Sequence, residues 1–416
     1  MQIGPIFRAM FRHKGRFWLI AVEVALTLAI ISNCLNMVLV ERQKMNRPTG
    51  IDEDNILVVY SEPFDKAFED KIYARASYDN DLRALRGMPG VHAAAGMHAI
   101  PLSGGGSATG RRPRGSEIDT LSAPYFIVSE GVIAALGVEL VEGRDFTAAD
   151  FPTPDDDEAS ATAEDEAAAE PDLSNVIVTR EFAELMYPDG DALGKTIENR
   201  NGDSIDTIIG VIERMHNSWP LASFAERVVL YPGEPWSERG ARYVVRAEPG
   251  MLGELYTTIE DELIRQDEGR LIRVETLAEV KGDTYSGTHA VTKMLGGLSV
   301  LLILVTSLGI IGLTSFSVTQ RTREIGTRRA LGATRTSILG YFLVENWIVT
   351  GVGLVVGVGL TYGLNFVLAQ WAEVQRIEIP QVAVGVLTIW LAGLAAALAP
   401  AIRGTTVQPV TATRNV

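Results

Sequence analysis

Cysteine is almost absent from this 416-residue chain, which has one, Cys34, and histidine is scarce, with five residues. A single cysteine excludes an intramolecular disulfide, so any domain outside the cytosol must be held together by its own core. The sequence contains no Cys/His cluster with metal-ligand spacing, no His-Glu-x-x-His and no Gly-x4-Gly-Lys-Ser/Thr. We therefore expect no catalytic residue, no metal site and no cofactor or nucleotide bound by this chain.

Positive charge is also in short supply, because the formal net charge is −15 and the isoelectric point is near 4.9. This balance excludes nucleic acid as an expected partner. The charge is unevenly placed: residues 1–16 and 318–337 carry +4 each, 403–416 carries +2, and 41–288 carries −23. Basic flanks of membrane spans face the cytosol, so we predict that both termini are cytosolic and that residues 41–288 lie outside.

Long apolar runs separate these regions, and a mean hydropathy of +0.14 fits a few membrane spans plus a large soluble domain. The first run is longer than the apolar part of a signal peptide, and no small-x-small cleavage site follows it, so we predict a retained anchor. Residues 1–16 are predicted to form a cytosolic or interfacial helix, and 403–416 a cytosolic tail. The predicted transmembrane helices cover residues 17–40, 291–318, 338–368 and 382–399.

The region between the first two spans, residues 41–288, is predicted to be an α+β domain of two subdomains, because strand and helix patterns alternate along it. Residues 150–171 are almost entirely Asp, Glu, Ala, Ser, Thr and Pro, which predicts a disordered acidic insertion. The glycine-rich stretch 101–112 is predicted to be a loop at a hairpin tip; the alternative, a phosphate-binding loop, lacks the required Lys-Ser/Thr. Thr276 is expected to cap a helix that continues into the second span.

The second and third spans are joined by the basic segment, residues 320–334, with the sequence QRTREIGTRRALGAT. Glu324 stands four residues before Arg328, the orientation that favours a helical ion pair. Gly332 is suited to end that helix in a left-handed conformation, and Thr334 or Thr336 to cap the next helix. By its charge alone, the segment fits equally well a simple determinant of membrane topology.

The order Arg-x-Arg-Glu-Ile-Gly-x-Arg-x-Ala-Leu-Gly-Ala in this segment resembles the cytosolic signature of the MacB/FtsX-like ABC transporter permeases. Residues 400–414 resemble the tail of the same family, and 135–146, 174–182 and 187–197 resemble the MacB-like periplasmic core in matching order. In the tail, the Gly and Thr at positions 404 and 413 replace the commoner Ala and Leu.

The resemblance implies a membrane protein with four transmembrane α-helices, one before and three after a large periplasmic α+β domain. It implies an FtsX-like permease domain over residues 289–402, and a basic segment that contacts an ATPase. Full-length MacB-type exporters carry their ATPase domain at the N-terminus, whereas only residues 1–16 precede the first span here. We therefore expect a separate ATPase subunit. The residues assigned to its contact are Arg321, Arg323, Glu324, Gly326, Arg328, Arg329, Leu331 and Gly332.

The third span is rich in glycine, and two pairs have the small-xxx-small spacing that lets membrane helices approach closely: Gly353 with Gly357, and Gly359 with Gly363. Packing inside one bundle and packing between two permeases are equally compatible with this spacing. Glu345 and Asn346 lie in the same span, where we expect interhelical hydrogen bonds rather than ion transport.

The family implies a permease subunit in a bacterial inner membrane. The expected partners are membrane lipid, an ABC ATPase that binds ATP and Mg²⁺, a second permease (identical or paralogous), a periplasmic adaptor and an outer-membrane duct. The expected output is efflux or export, driven by motion passed from the ATPase to the periplasmic domain. Two alternatives stay open: a signalling scaffold of the FtsX type that controls a cell-wall hydrolase, and a lipoprotein-releasing permease. The substrate is not encoded in any recognisable motif.

Overall fold

The computed structural model describes residues 14–117, 119–152, 172–371 and 374–406. These fall into two compact units: an outer unit, Lys44–Gly287, and a membrane unit made of the described residues on either side of it. The helix predicted over residues 1–16, the insertion 150–171 and the tail 403–416 lie largely outside the described residues. Strand–helix alternation within the outer unit and four long helices in the membrane unit agree with the predicted fold class.

The α-helices of the described chain are α1 (Lys14–Met45), α2 (Lys71–Gly87), α3 (Val132–Leu136), α4 (Arg180–Met186), α5 (Leu252–Gln266), α6 (Leu277–Gln320), α7 (Thr322–Ala330), α8 (Arg335–Trp371) and α9 (Ile379–Thr405). The strands are β1 (Ile56–Pro63), β2 (Val91–Gly96), β3 (Ser107–Pro113), β4 (Leu121–Val128), β5 (Leu140–Gly143), β6 (Asp172–Thr179), β7 (Thr196–Glu198), β8 (Ser204–Ile212), β9 (Val229–Pro232), β10 (Trp236–Ser237), β11 (Gly240–Ala247) and β12 (Arg270–Thr276). Single 3₁₀ turns cover Glu53–Asn55, Lys66–Glu69 and Ala148–Asp150.

Helices α1, α6, α8 and α9 are long and apolar enough to cross a membrane. Helix α6 begins directly after β12 and runs without interruption for 44 residues. Its start is fixed by a reciprocal cap: Thr276 Oγ1 accepts from the Glu279 N–H at 3.1 Å, and the Glu279 carboxylate accepts from the Thr276 N–H at 2.8 Å. The cap predicted at Thr276 is therefore present.

Polar contacts link the four long helices inside their apolar core. The hydroxyls of Thr27 and Thr306 lie 2.8 Å apart, which joins α1 to α6. Asn365 Nδ2 donates to Asn33 Oδ1 at 3.1 Å, which joins α8 to α1. Asn346 Nδ2 donates to the Gly393 carbonyl of α9 at 3.1 Å, as the interhelical hydrogen bond predicted for it requires. Buried polar groups of this kind fix which helix faces meet.

The first sheet of the outer unit has the order β10-β11-β1-β12. Strand β2 also pairs with β11, next to the short stretch of β11 that pairs with β10. Strand β1 is antiparallel to both neighbours and is buried on both faces. Leu57 and Val59 pack toward α2 and α5, whereas Ile56 and Val58 pack toward the core shared with the second sheet. Alternate residues of a strand face opposite sides, so burial on both sides explains the continuous apolar run at the start of β1.

The second sheet has the order β5-β8-β6-β9-β4-β3-β7, and β7 also pairs with β8, so six of its strands close into a ring. The loop predicted over 101–112 is wrong for its second half, because Ser107–Pro113 is strand β3 and pairs with β4. Local sequence favours a loop there, but Arg111 is held by Asp206 of β8 at 2.8 Å. Contacts distant in sequence therefore outweigh local propensity.

Each sheet contains a buried Arg–Asp–Tyr group. In the first sheet, Arg270 makes a bidentate pair with Asp81 of α2, and the Tyr243 hydroxyl donates to the same carboxylate at 2.8 Å. In the second sheet, the Tyr231 hydroxyl donates to Asp206 at 2.7 Å, beside Arg111. These groups tie elements distant in sequence without any disulfide.

His216 is fully buried in the outer unit, and neither ring nitrogen has a hydrogen-bond partner among the described residues. Burial is the main cause that lowers the pKa of His216 from 6.5 to about 4; Arg47 and Lys281 lower it further, and Glu226 and Glu53 oppose them. The unfolded chain binds the His216 proton more tightly than the folded chain does. The stability contributed by the neutral side chain is therefore complete above pH 6.5 and is lost as the pH falls from 6.5 to 4.

We expect the outer unit to lose about 3 kcal/mol of stability between pH 7 and pH 4 through His216 alone. Hydrogen exchange of the full chain, followed by mass spectrometry at several pH values, measures this loss. In His216→Leu, the part of the pH dependence that falls between 4 and 6.5 should flatten. An unchanged slope in that variant would show that other groups cause the acid sensitivity.

Candidate functional site

The basic segment folds into the short helix α7, set between α6 and α8 by a break at Arg321 and a turn at Gly332. Glu324 accepts from Arg328 at 2.5 Å, which is the ion pair predicted from their spacing. Gly332 has a φ of +98°, a conformation that favours glycine, so it ends α7 as predicted. Thr334 Oγ1 accepts from the Ser337 N–H at 3.2 Å, so Thr334 caps α8.

The inner face of α7 is apolar and packed. Ile325 is 5% exposed and belongs to a cluster with Val318, Ile338, Phe342 and Ala401, residues of α6, α8 and α9. The neighbouring Gly326 is also buried. Helix α7 therefore lies on the ends of three membrane helices rather than projecting as a free loop.

Two arginines fasten the ends of α7. At its start, Arg321 Nη1 donates to Glu345 Oε2 at 2.8 Å and to the Tyr341 hydroxyl at 2.9 Å, both on α8. At its end, Arg329 Nη1 donates to the Thr405 carbonyl of α9 at 3.1 Å. Charge-assisted hydrogen bonds of this kind hold a helix more firmly than neutral ones.

The outer face of α7 is charged and exposed. Arg323, Glu324 and Arg328 are exposed, and Leu331 is 84% exposed just before the turn at Gly332. The Arg328 guanidinium lies over the Tyr341 ring at 5.2 Å from its centre, which limits its freedom while leaving it accessible. The cavity beneath α7 is about 40 Å³, room for a water molecule or two and far too small for a nucleotide.

The eight residues predicted for the ATPase contact therefore do not form one surface. Five are exposed on the outer side: Arg323, Glu324, Arg328, Leu331 and Gly332. The other three face or fasten the bundle: Arg321, Gly326 and Arg329.

The sequence analysis did not identify Tyr341 and Thr405, which are the hydrogen-bond partners of Arg321 and Arg329. Tyr341 lies four residues before Glu345, one helical turn away on the same face of α8, and this spacing was a usable signal. Thr405 takes part through its carbonyl group at the end of α9, for which side-chain patterns carry no signal. For Glu345, the predicted hydrogen bond between helices exists, although its partner Arg321 lies in the connection before α7.

The four glycines of α8 separate into two pairs with different surroundings. A Cβ at Gly353 would lie 2.8 Å from the Ala21 carbonyl oxygen, and one at Gly357 would lie 3.0 Å from the Ala25 Cα, both on α1. A Cβ at Gly359 or Gly363 would meet no atom of the described chain within 4 Å. The first pair therefore packs inside the bundle, and the second pair faces outward.

Comparison with known proteins agrees with a large outer domain followed by a membrane-embedded permease domain. Residues 24–264 match the family described as MacB-like periplasmic core domain, and residues 296–409 match the FtsX-like permease C-terminal family. The uncharacterized ABC transporter permease YvrN of Bacillus subtilis (strain 168) is 25% identical over 435 residues, with 98% of each chain covered. YknZ of the same organism, another uncharacterized ABC transporter permease, is 33% identical over 159 residues, covering 38% of this chain and 39% of YknZ.

The macrolide export ATP-binding/permease protein MacB of Chromobacterium violaceum is 26% identical over 249 residues, covering 57% of this chain. The chain spans only 37% of the length of that MacB. Among solved structures, the periplasmic region of MacB from Actinobacillus actinomycetemcomitans is 13% identical, with a TM-score of 0.34, covering 58% of this chain and 97% of that one. Because the core-domain match alone covers more than half of the chain, the protein belongs to the ABC transporter permeases that combine a MacB-like periplasmic core domain with an FtsX-like permease domain.

Proposed function

We propose that this protein is the permease subunit of a MacB-like (type VII) ABC transporter and that the outer face of α7 is its contact with the ATPase. The observation that carries the proposal is the division of α7 into two faces. Arg321 and Arg329 fasten the helix to α8 and α9, while Arg323, Arg328 and Leu331 stay exposed. We expect that a partner bound to the exposed face moves α7, and that the hydrogen bonds to α8 and α9 transmit this movement to the membrane helices.

The proposed route from α7 to the outer unit is α6. This helix ends at Gln320, one residue before Arg321, and begins at Leu277, directly after strand β12. Leu277 and Val280 are buried in the core of the outer unit. We propose that closure of two ATPase subunits around ATP and Mg²⁺ moves α7, and that α6 carries this motion to the outer unit.

The remaining partners belong to the same proposal. The four candidate membrane helices of the described residues form a small bundle, so a second permease, identical or paralogous, is proposed to complete the assembly. A periplasmic adaptor and an outer-membrane duct are proposed for an export role. Both ends of the chain are proposed to be cytosolic, as the basic flanks predict.

Reversing the charges in Arg323→Glu/Arg328→Glu is expected to abolish retention of the ATPase subunit, because both arginines lie on the exposed face of α7. The measurement is affinity purification of the tagged chain from native membranes in mild detergent, followed by identification of the co-purifying proteins and assay of ATP hydrolysis. The matched control is Arg403→Glu, an exposed arginine on α9 rather than α7. It should retain the ATPase.

Full ATPase retention by the double variant would overturn the assignment of this face. The unaltered protein answers a second question in the same experiment. Recovery of an ATPase together with an adaptor supports export, whereas an ATPase with a cell-wall hydrolase and no adaptor supports the signalling scaffold instead. Absence of any ATPase, also after co-expression, would contradict the proposed function as a whole.

A further inference from the structure

The α1 connection, residues 46–55 between α1 and β1, contacts the start of α6 within the outer unit. Lys281 Nζ of α6 donates to Glu53 Oε2 at 2.7 Å and to Glu53 Oε1 at 3.0 Å. The Thr49 hydroxyl donates to Glu53 Oε1 as well. One carboxylate therefore binds both a cation of α6 and a hydroxyl of the segment that follows α1.

The β8–β9 connection, residues 213–228, meets the α1 connection at the same place. The His216 backbone N–H donates to the Thr49 carbonyl at 2.9 Å. Gly50, with a φ of +79°, comes so close to this connection that a Cβ there would collide with its backbone. We call the following four groups the clasp: Lys281, Glu53, Thr49 and the His216 N–H. The clasp ties α6, which follows β12 of the first sheet, to a segment between two strands of the second sheet.

The clasp is largely shielded from water. The side chains of Lys281 and Glu53 are 20% and 21% exposed, and Thr49 is 3% exposed. A fully exposed ion pair contributes little, because water screens it and both side chains lose freedom. A shielded carboxylate that accepts hydrogen bonds from two side chains is held more firmly, since hydrogen bonds to a charged group are shorter and stronger than neutral ones. The clasp therefore fixes the positions of its members relative to one another.

Apolar packing brings the same three segments together. One buried cluster contains Ile51 of the α1 connection, Met215 of the β8–β9 connection, and Leu277 and Val280 of α6. Apolar contacts are non-directional, so they hold segments close without fixing how one slides past another. Hydrogen bonds depend on distance and angle. The clasp therefore adds what the apolar contacts do not supply, a fixed register between α6 and the two connections.

We propose that Lys281 is the positioning residue that makes the α1 connection and the β8–β9 connection follow α6. Through Glu53 and Thr49, movement of α6 reaches the second sheet as well as the first sheet, to which α6 is joined by the chain. Without the Lys281 cation, α6 still moves with β12 but no longer carries the two connections with it. This inference rests on the proposed function, in which closure of the ATPase moves α6, whereas the clasp itself is tested without an ATPase.

The first test uses the full chain in detergent and follows hydrogen exchange by peptide. Lys281→Met and Glu53→Gln should each accelerate exchange of residues 46–55 and 213–228 by about tenfold, a size found for contacting residues. The double variant should exchange no faster than either single variant, and Lys281→Arg should restore protection. Asp283→Asn, exposed on the same turn of α6, is the matched control and should leave exchange unchanged. Unchanged protection in both single variants would overturn the clasp.

The second test compares the complex with its ATPase when free of nucleotide and when trapped with ATP and vanadate. In the unaltered complex, trapping should change exchange in residues 277–287, 46–55 and 213–228. In Lys281→Met the change should persist in 277–287 and disappear from both connections, and Lys281→Arg should recover it; a merely structural role would not separate these segments.

A change that persists in both connections of Lys281→Met, or that disappears from all three segments, would overturn the role of Lys281. If no ATPase is recovered with the unaltered chain, the proposed function fails and the role of Lys281 fails with it. The clasp is then judged by the first test alone, so the two failures are distinguishable.

Discussion

Asp81→Ala is expected to destabilise the first sheet of the outer unit by about 3–5 kcal/mol, the range found when one partner of a buried ion pair is removed. Asp81 and Arg270 are each 1% exposed, and the pair is bidentate. Without the carboxylate, the Arg270 guanidinium stays buried, and the acceptors left to it among the described residues are neutral: Ser61, Ser77 and the Leu263 carbonyl. The Tyr243 hydroxyl loses its acceptor in the same step.

Hydrogen exchange of the full chain in detergent, resolved by peptide, is the suitable measurement because it reports opening of separate parts of a fold. Peptides from β1, β11 and β12 should exchange faster in Asp81→Ala, and those from β6 and β8 should change little. Asp206→Ala is the matched variant, since it breaks the corresponding group in the second sheet. It should give the reverse pattern.

The double replacement Asp81→Leu/Arg270→Met separates charge from packing. It removes both charges together, so it should cost clearly less than Asp81→Ala, as replacement of buried pairs by apolar residues often does. If the double variant is destabilised more than the single one, the network stabilises the sheet through hydrogen bonds to its neighbours rather than through the ion pair.

Much of the architecture follows from local patterns in the sequence. The four membrane helices follow from apolar runs of sufficient length, and the start of α6 follows from Thr276 three residues before Glu279. Within the basic segment, the ion pair of Glu324 with Arg328 and the turn at Gly332 also follow from spacing. These features depend on residues within one or two helical turns.

The division of the basic segment into two faces does not follow from such patterns. Arg321 and Arg323 have the same charge and lie two residues apart, yet only Arg321 meets Glu345, which is 24 residues away. Strand β3 is a similar case, because Arg111 finds Asp206 across 95 positions of sequence. Contacts at such separation are set by the packing of whole elements, which short-range propensity does not contain.

The glycines of α8 show the same limit in a membrane helix. Gly353 and Gly357 differ by about 40° around the helix axis, whereas Gly359 lies about 200° beyond Gly357, at about 100° per residue. The spacing therefore predicts two faces but not which one meets α1. The structure places the first pair against α1 and the second away from every other helix that it describes.

Gly353→Leu and Gly357→Leu are each expected to destabilise the membrane unit by about 2–3 kcal/mol, the cost of overfilling a tight contact. At both positions the first obstacle is backbone, the Ala21 carbonyl or the Ala25 Cα, which cannot rotate away as a side chain does. We therefore expect α1 to separate from α8. The measurement is the midpoint of thermal denaturation of the full chain in detergent, followed by the fraction that stays monodisperse on size exclusion.

Gly359→Leu and Gly363→Leu are the matched controls, because they make the same change on the same helix at positions where no atom of a described residue lies within 4 Å. Their midpoint should stay within a degree or two of the unaltered protein, since exposed changes cost little. The molar mass of these two variants by light scattering tests whether Gly359 and Gly363 lie in a contact between two permeases. A dimer that dissociates in these variants alone places the outward pair in a permease–permease contact, whereas unchanged mass leaves that pair facing lipid. Equal destabilisation by all four substitutions would contradict the arrangement of α1 against α8.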